Sequence, residues 1–267
     1  MKRIMLTVAY DGTDYHGWQW QPNGLSIEEV LNRELSRLLK EDVRVKGCSR
    51  TDAGVHAAGN LCVFDSETRI PAEKLCYAIN QSLPEDIVVQ ESREVPADFH
   101  PRKWDSVKTY EYQIDVNRFP DPLRRRYAYT TYYPLNVEAM REAACCLVGE
   151  HDFASFCSAG SSAETTVRTV LSVEILQTLP PVGGDEKHMT AGSLTFRIRG
   201  TGFLYNMVRI ITGTLLEVGR GFRTPQEMRQ VLEACDRRKA GQTAPPQGLC
   251  LREIRLIDPP WERLQTE

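Results

Sequence analysis

Between Arg3 and Tyr10 apolar and polar residues alternate, with Ile4, Leu6, Val8 and Tyr10 on one side, and the alternation predicts a strand. A polar, glycine-rich loop follows over residues 11–24. Ser26 and Glu29 then make a capping pair ahead of Ile27, Val30, Leu31, Leu35, Leu38 and Leu39, whose spacing predicts a helix to about Leu39. Short apolar runs at 43–48 and 60–65 predict two more strands. Pro71 suits the first turn of a helix that Pro84 ends, and residues 86–93 predict a fourth strand. The resulting order, β-α-β-β-α-β, is the ferredoxin-like split arrangement. It implies an antiparallel sheet with both helices on one face and the other face free, as in sheets that bind RNA.

The second half follows the plan more loosely. Strands are predicted at 106–116, 126–133, 166–177, 193–199 and 249–257, and Asn136 caps a helix running to about Val148. Residues 178–190 read as a mobile Pro/Gly-rich connection. A largely apolar helix is expected over 203–218, and Thr224-Pro225-Gln226-Glu227 opens a shorter one. The fold class is therefore α+β, with two antiparallel β-α-β-β-α-β halves, residues 1–104 and 105–267.

Between the second and third strands lies Gly47-Cys48-Ser49-Arg50-Thr51-Asp52-Ala53-Gly54-Val55-His56-Ala57. It concentrates a guanidinium, a hydroxyl, a carboxylate, a glycine and an imidazole in one connection, which is where function gathers. The same residues also suit a plain hairpin loop, with Asp52 capping a turn, Gly54 at positive φ and His56 packed. Asp52 is the best candidate for a reacting carboxylate, and Arg50 or another cation would keep it ionised. Asp11, His16, Asp52 and His56 would make a metal-dependent hydrolase the competing reading, although Asp11 and Asp14 fit a turn-prone segment equally well. Arg209 lies inside the apolar helix and calls for a carboxylate partner from the other half, unless its head reaches solvent. Tyr110 suits either base stacking or the core. No nucleophile elbow, Cys/His pair or P-loop is present, and Gly200-Thr201-Gly202 lacks the rest of a dinucleotide fingerprint.

Composition narrows the setting. No run approaches 18 apolar residues, so no membrane span is expected. The start, Met1-Lys2-Arg3-Ile4, leads directly into the first strand without a signal-peptide core. The 8 cysteines form no C-x-x-C pair and read as buried apolar residues of a reducing cytoplasm, with no structural zinc expected. The net charge of −3 hides local order. Residues 102–126 carry Arg102, Lys103, Lys108, Arg118, Arg124, Arg125 and Arg126 against four acids, and residues 197–223 carry five arginines against Glu217. Aromatic residues interleave with both, a pattern that suits an RNA-facing surface as well as ordinary solvated charge.

Several segments in order resemble the TruA family of tRNA pseudouridine synthases. They are Tyr10-Asp11-Gly12-Thr13, Tyr15-His16-Gly17-Trp18-Gln19, Arg50-Thr51-Asp52-Ala53-Gly54-Val55-His56-Ala57, Phe99-His100-Pro101-Arg102, Lys108-Thr109-Tyr110-Glu111-Tyr112, Gly202 to Arg209, and Thr243 to Leu249. The resemblance implies isomerisation of uridine to pseudouridine at positions 38, 39 and 40 of the tRNA anticodon arm. It implies RRM-like halves around a central basic cleft, a homodimer, and no metal or other cofactor. Carried over by motif, Asp52 is the nucleophile, Arg209 pairs with it, Tyr110 lies against the target uracil and Arg50 helps displace the base. Arg102, Lys103, Lys108, Arg124, Arg125 and Arg126 are then the expected phosphate contacts. Trp20 stands between Gln19 and Gln21 where the family has a basic residue. A synthase with a shifted RNA target and a catalytically silent RNA-binding module remain the related alternatives.

Overall fold

In the computed structural model, which describes residues 1–177 and 191–259, the first alternating run becomes β1 (Lys2–Tyr10). Helix α1 (Ile27–Leu39) starts where expected, with the Ser26 hydroxyl accepting from Glu29 N at 3.2 Å, and buries Ile27, Val30, Leu31 and Leu35. Strand β2 shrinks to Lys46–Gly47, whereas β3 (His56–Ser66) begins directly at the histidine of the polar connection. The helix expected after Pro71 is a 3₁₀ turn followed by α2 (Leu75–Ile79). Its early end has a local cause. The Asn80 carboxamide pairs with the backbone of Val89 in both directions, at 2.8 Å each way, and so turns the chain toward β4 (Ile87–Val95).

Three antiparallel pairings define this part: β1 with β3, β1 with β4 and β2 with β3. That is the sheet order of a split β-α-β-β-α-β unit. The face expected to be free exists only toward the β4 edge. There burial alternates, while nearly every residue of β3 is buried on both faces.

The next compact body holds β5 (Ser106–Val116), β6 (Tyr129–Thr131), α3 (Val137–Cys145), β7 (Gly149–Asp152), β8 (Val167–Gln177), β9 (Gly192–Gly200), α4 (Met207–Gly219) and α5 (Pro225–Ala234). Strands β5, β9, β8 and β7 pair antiparallel in that order, and β6 runs parallel to the end of β5. The four-residue β7 carries no alternation, so sequence periodicity misses it. Helix α3 packs on β8 and beside α4 and α5. In α4 every residue except Arg209 and Glu217 is buried, which matches its apolar composition. The expected connection over 178–190 lies outside the described residues.

The last strand, β10 (Leu249–Leu256), sits beside β3. The chain therefore divides into unit 1, Met1–Val107 together with the chain from Leu251, and unit 2, Lys108–Cys250. Element order alone groups the last strand with the second half. The compact units divide otherwise, and β10, hydrogen-bonded along β3, falls with unit 1 from Leu251 onward.

Candidate active site

In unit 1 the connection carrying Asp52 is fixed by close backbone packing. Thr51 O accepts from Trp18 N at 3.1 Å, Tyr15 O accepts from Gly54 N at 3.1 Å, and Asp52 O accepts from Val55 N at 3.1 Å. Gly17, at φ +85°, lies so near that an added Cβ would stand 2.4 Å from Thr51 O. At Gly12 the same atom would meet Val55 O at 2.0 Å. The glycine-rich loop over 11–24 thus clamps the carboxylate turn from one side.

Side chains close the other side. The buried Tyr10 hydroxyl bonds Thr51 Oγ1 at 2.7 Å, and the fully buried Asn60 spans the stretch by donating to Ser49 O at 2.9 Å and accepting from Ser49 N at 3.3 Å. Asp52 itself is half-buried and Arg50, two residues earlier, is exposed. A carboxylate reaching a partly dry surface from a rigid turn is positioned to act without reorganising.

His56 has a structural role in this arrangement. Its Nδ1 accepts the Gly12 N–H at 3.0 Å, and Asp11 Oδ1 lies 3.1 Å from the same nitrogen. The Nδ1 lone pair is committed to the backbone, so the ring braces the 11–13 turn against β3. Asp11 meanwhile caps that turn through Thr13 N at 3.0 Å. His16 is exposed and packs against Gly24. Among the described residues no three His, Cys, Asp or Glu side chains converge as a metal site.

A basic surface adjoins the end of β4. His100 is held below the ordinary imidazole range, first by burial and then by the Arg102, Lys103 and Lys46 cations around it. Arg102 and Lys103 are exposed, and that local excess of positive charge is what a phosphate would neutralise.

In unit 2, Tyr110 is buried on β5 opposite Ile198 and meets Phe203 edge-on, with ring centroids 5.1 Å apart. Arg209 is half-buried. Its Nε donates to Ala244 O at 2.8 Å and its Nη1 to Asn206 Oδ1 at 2.7 Å, while Arg209 O accepts from Ala244 N at 3.1 Å. The strap that supplies Ala244 lies directly on α4, because a Cβ at Gly213 would stand 1.7 Å from Gln242 O. Tyr112 secures the same strap by donating to Pro245 O at 2.7 Å, and burial raises its phenol far out of the titrating range. Residues 241–245 and Asn206 were not legible as site residues. Asn206 falls inside the helix expected over 203–218, and the strap carries no reactive group.

The other basic candidates separate by environment. Lys108 is half-buried and Arg125 and Arg126 are exposed. Arg124 instead bonds Asp115 Oδ2 at 2.8 Å, a carboxylate that is 1% exposed and also accepts from Ser193 Oγ at 2.7 Å. Arg124 thus serves the interior of unit 2.

Comparison with known proteins gives the family. A family model described as tRNA pseudouridine synthase matches residues 6–102 and 143–255. The chain is 49% identical over 256 residues to "tRNA pseudouridine synthase A" of Brevibacillus brevis, covering 95% of this chain and 99% of that protein. It is 47% identical over 256 residues to the protein of the same name from Geobacter sulfurreducens, covering 96% and 100%. With that from Thermoanaerobacter pseudethanolicus it shares 45% over 254 residues, covering 95% and 99%.

Proposed function

The chain belongs to the tRNA pseudouridine synthase family, and from that premise we propose that it isomerises uridine to pseudouridine at positions 38, 39 and 40 of the tRNA anticodon stem-loop. It is an isomerase acting on tRNA. The observation that carries the reading is the half-buried Asp52 on a turn held from both sides, inside the Arg50–Ala57 segment.

The reaction breaks the bond between uracil N1 and ribose C1′, turns the base and joins C5 to C1′. The C5 proton is lost and N1 gains one, so no electrons enter or leave. Asp52 is the nucleophile, a carboxylate able to form a covalent intermediate. Arg209 is the second catalytic residue, and Tyr110 lies against the target uracil. Arg50, exposed beside the carboxylate, helps to displace the base, since the target must first leave its stack. Arg102, Lys103, Lys108, Arg125 and Arg126 contact phosphates, and the protein works as a cytoplasmic homodimer. The two halves are RRM-like. No described helix is long and apolar enough to cross a membrane.

The test is position-resolved mapping of pseudouridine in tRNA treated with the purified protein and with Asp52→Asn. Wild type should modify positions 38–40, and the variant should bind tRNA but convert none of them. Conversion by Asp52→Asn would overturn the nucleophile assignment. Modification confined to other positions would assign a shifted target.

A further inference from the structure

Helix α4 begins irregularly. Asn206, its N-cap residue, has φ 60° and ψ 7°, a left-handed conformation, and its side chain makes no capping bond. An N-cap residue ordinarily sits in the extended region with its side-chain oxygen turned onto the first helical N–H groups. Here the carboxamide faces elsewhere. Oδ1 accepts from Arg209 Nη1 at 2.7 Å, and Nδ2 donates to Ser158 Oγ at 3.0 Å. Because a guanidinium can only donate, the oxygen must face Arg209 and the amide nitrogen must face the serine. The orientation of the carboxamide is thus fixed by chemistry at both ends. Ser158 is anchored in turn by its own N–H, which donates to Tyr205 O at 3.2 Å.

With the Ala244 carbonyl on Nε, the Asn206 oxygen gives the Arg209 guanidinium a second fixed acceptor. Two bonds from different atoms of one rigid fork set its plane. An unfavourable backbone conformation that gives up helix capping is expected where a site requires it.

We propose that Asn206 is a positioning residue: its carboxamide, held by Ser158, orients the Arg209 guanidinium for its part in turnover. The inference rests on the proposed role of Arg209. It assigns Asn206 no contact with RNA. The side chain acts on turnover through Arg209 alone.

Three substitutions in the full-length enzyme separate the carboxamide from the backbone. Asn206→Gly keeps the left-handed conformation at no steric cost but removes the acceptor. Asn206→Asp tolerates the conformation and keeps an oxygen facing Arg209. Asn206→Ala removes both features. With a tRNA transcript as substrate, Asn206→Gly should lower kcat about 10- to 100-fold, the scale of a misplaced catalytic group. KM should stay within about threefold and the melting temperature should not fall, since no buried apolar contact is removed. Asn206→Asp should recover most of kcat. In an Arg209→Ala background Asn206→Gly should cause no further loss, as two members of one unit are not additive. Wild-type kcat in Asn206→Gly, or an equal further loss in the Arg209→Ala background, would overturn the inference. Normal turnover by Arg209→Ala itself would instead remove the role of Arg209 on which it rests.

Discussion

Around Asp52 the chain is held by close backbone packing with side-chain bonds behind it, whereas the Arg209 head is held by one side chain and one backbone carbonyl. The carboxylate turn lies against the 12–18 loop so tightly that Gly12 and Gly17 have no room for a Cβ; peptide-to-peptide bonds join the two, and Tyr10 and Asn60 bond Thr51 and Ser49 behind it. The guanidinium is set by an asparagine side chain and by one carbonyl of a strap that crosses α4 at Gly213. A carboxylate that must stay in one place gains from a support that has no rotamers. A long arginine has four torsions to restrain, and acceptors placed around its head restrain them directly.

The largest effects should come from the glycines. Gly17→Ala adds a methyl 2.4 Å from Thr51 O at a positive φ, and Gly213→Ala adds one 1.7 Å from Gln242 O. Each should destabilise by about 3 kcal/mol in urea unfolding and abolish pseudouridine formation. If Gly213→Ala alone were tolerated, the strap would be shown to yield, and Arg209 would be held more loosely than Asp52.

A second comparison separates the arginines of the connection from β5 to β6. Arg124→Ala leaves the buried Asp115 carboxylate with only Ser193 and should cost about 3 kcal/mol of stability. Arg125→Ala should change stability by less than about 0.5 kcal/mol while weakening tRNA binding in a salt-dependent way. Equal effects of the two on stability would break the view that unit 2 relies on side-chain pairs.

A modest effect is expected in unit 1, at the Arg3–Asp65 pair. Arg3 grips Asp65 through two bonds of 2.7 and 2.8 Å and also donates to Phe99 O at 2.9 Å. The hydrogen bond from Arg3 holds the Asp65 carboxyl below its ordinary value, against the opposing pull of burial. A carboxyl lowered on folding stabilises above its unfolded pKa of about 3.9, and that contribution is lost as pH falls through the folded value. Solvent screens the half-exposed pair, so Asp65→Asn should cost no more than about 1 kcal/mol at pH 7. Below pH of about 4 the variant and the wild type should converge, as urea unfolding across that range would show. Persistence of the full difference in acid would mean that shape, not charge, supplies the contribution.

Much of this molecule is written in local pattern. Period-two alternation marks β1 and β5, Ser26 marks the start of α1, and the Arg50–Ala57 segment announces its carboxylate. These features depend on neighbours within a few residues, where propensity and spacing act. The end of α2 was hidden, because Asn80 stops it by pairing with Val89 nine residues on. His56 looked chemically eligible until its Nδ1 proved committed to Gly12, 44 residues away. Nothing local distinguishes Arg124 from Arg125, yet only Arg124 has a buried carboxylate to satisfy.

The sequence by itself determined the α+β class and most of the element order, and it marked Asp52 as the candidate carboxylate. The tertiary structure alone decided that β10 returns to unit 1, that the 12–18 loop clamps Asp52, and that Asn206 faces Arg209 in place of capping its helix. The physical reason is reach. Alternation and capping are energies between neighbours along the chain, whereas a buried hydrogen bond or a missing Cβ is settled by whichever distant atom arrives beside it.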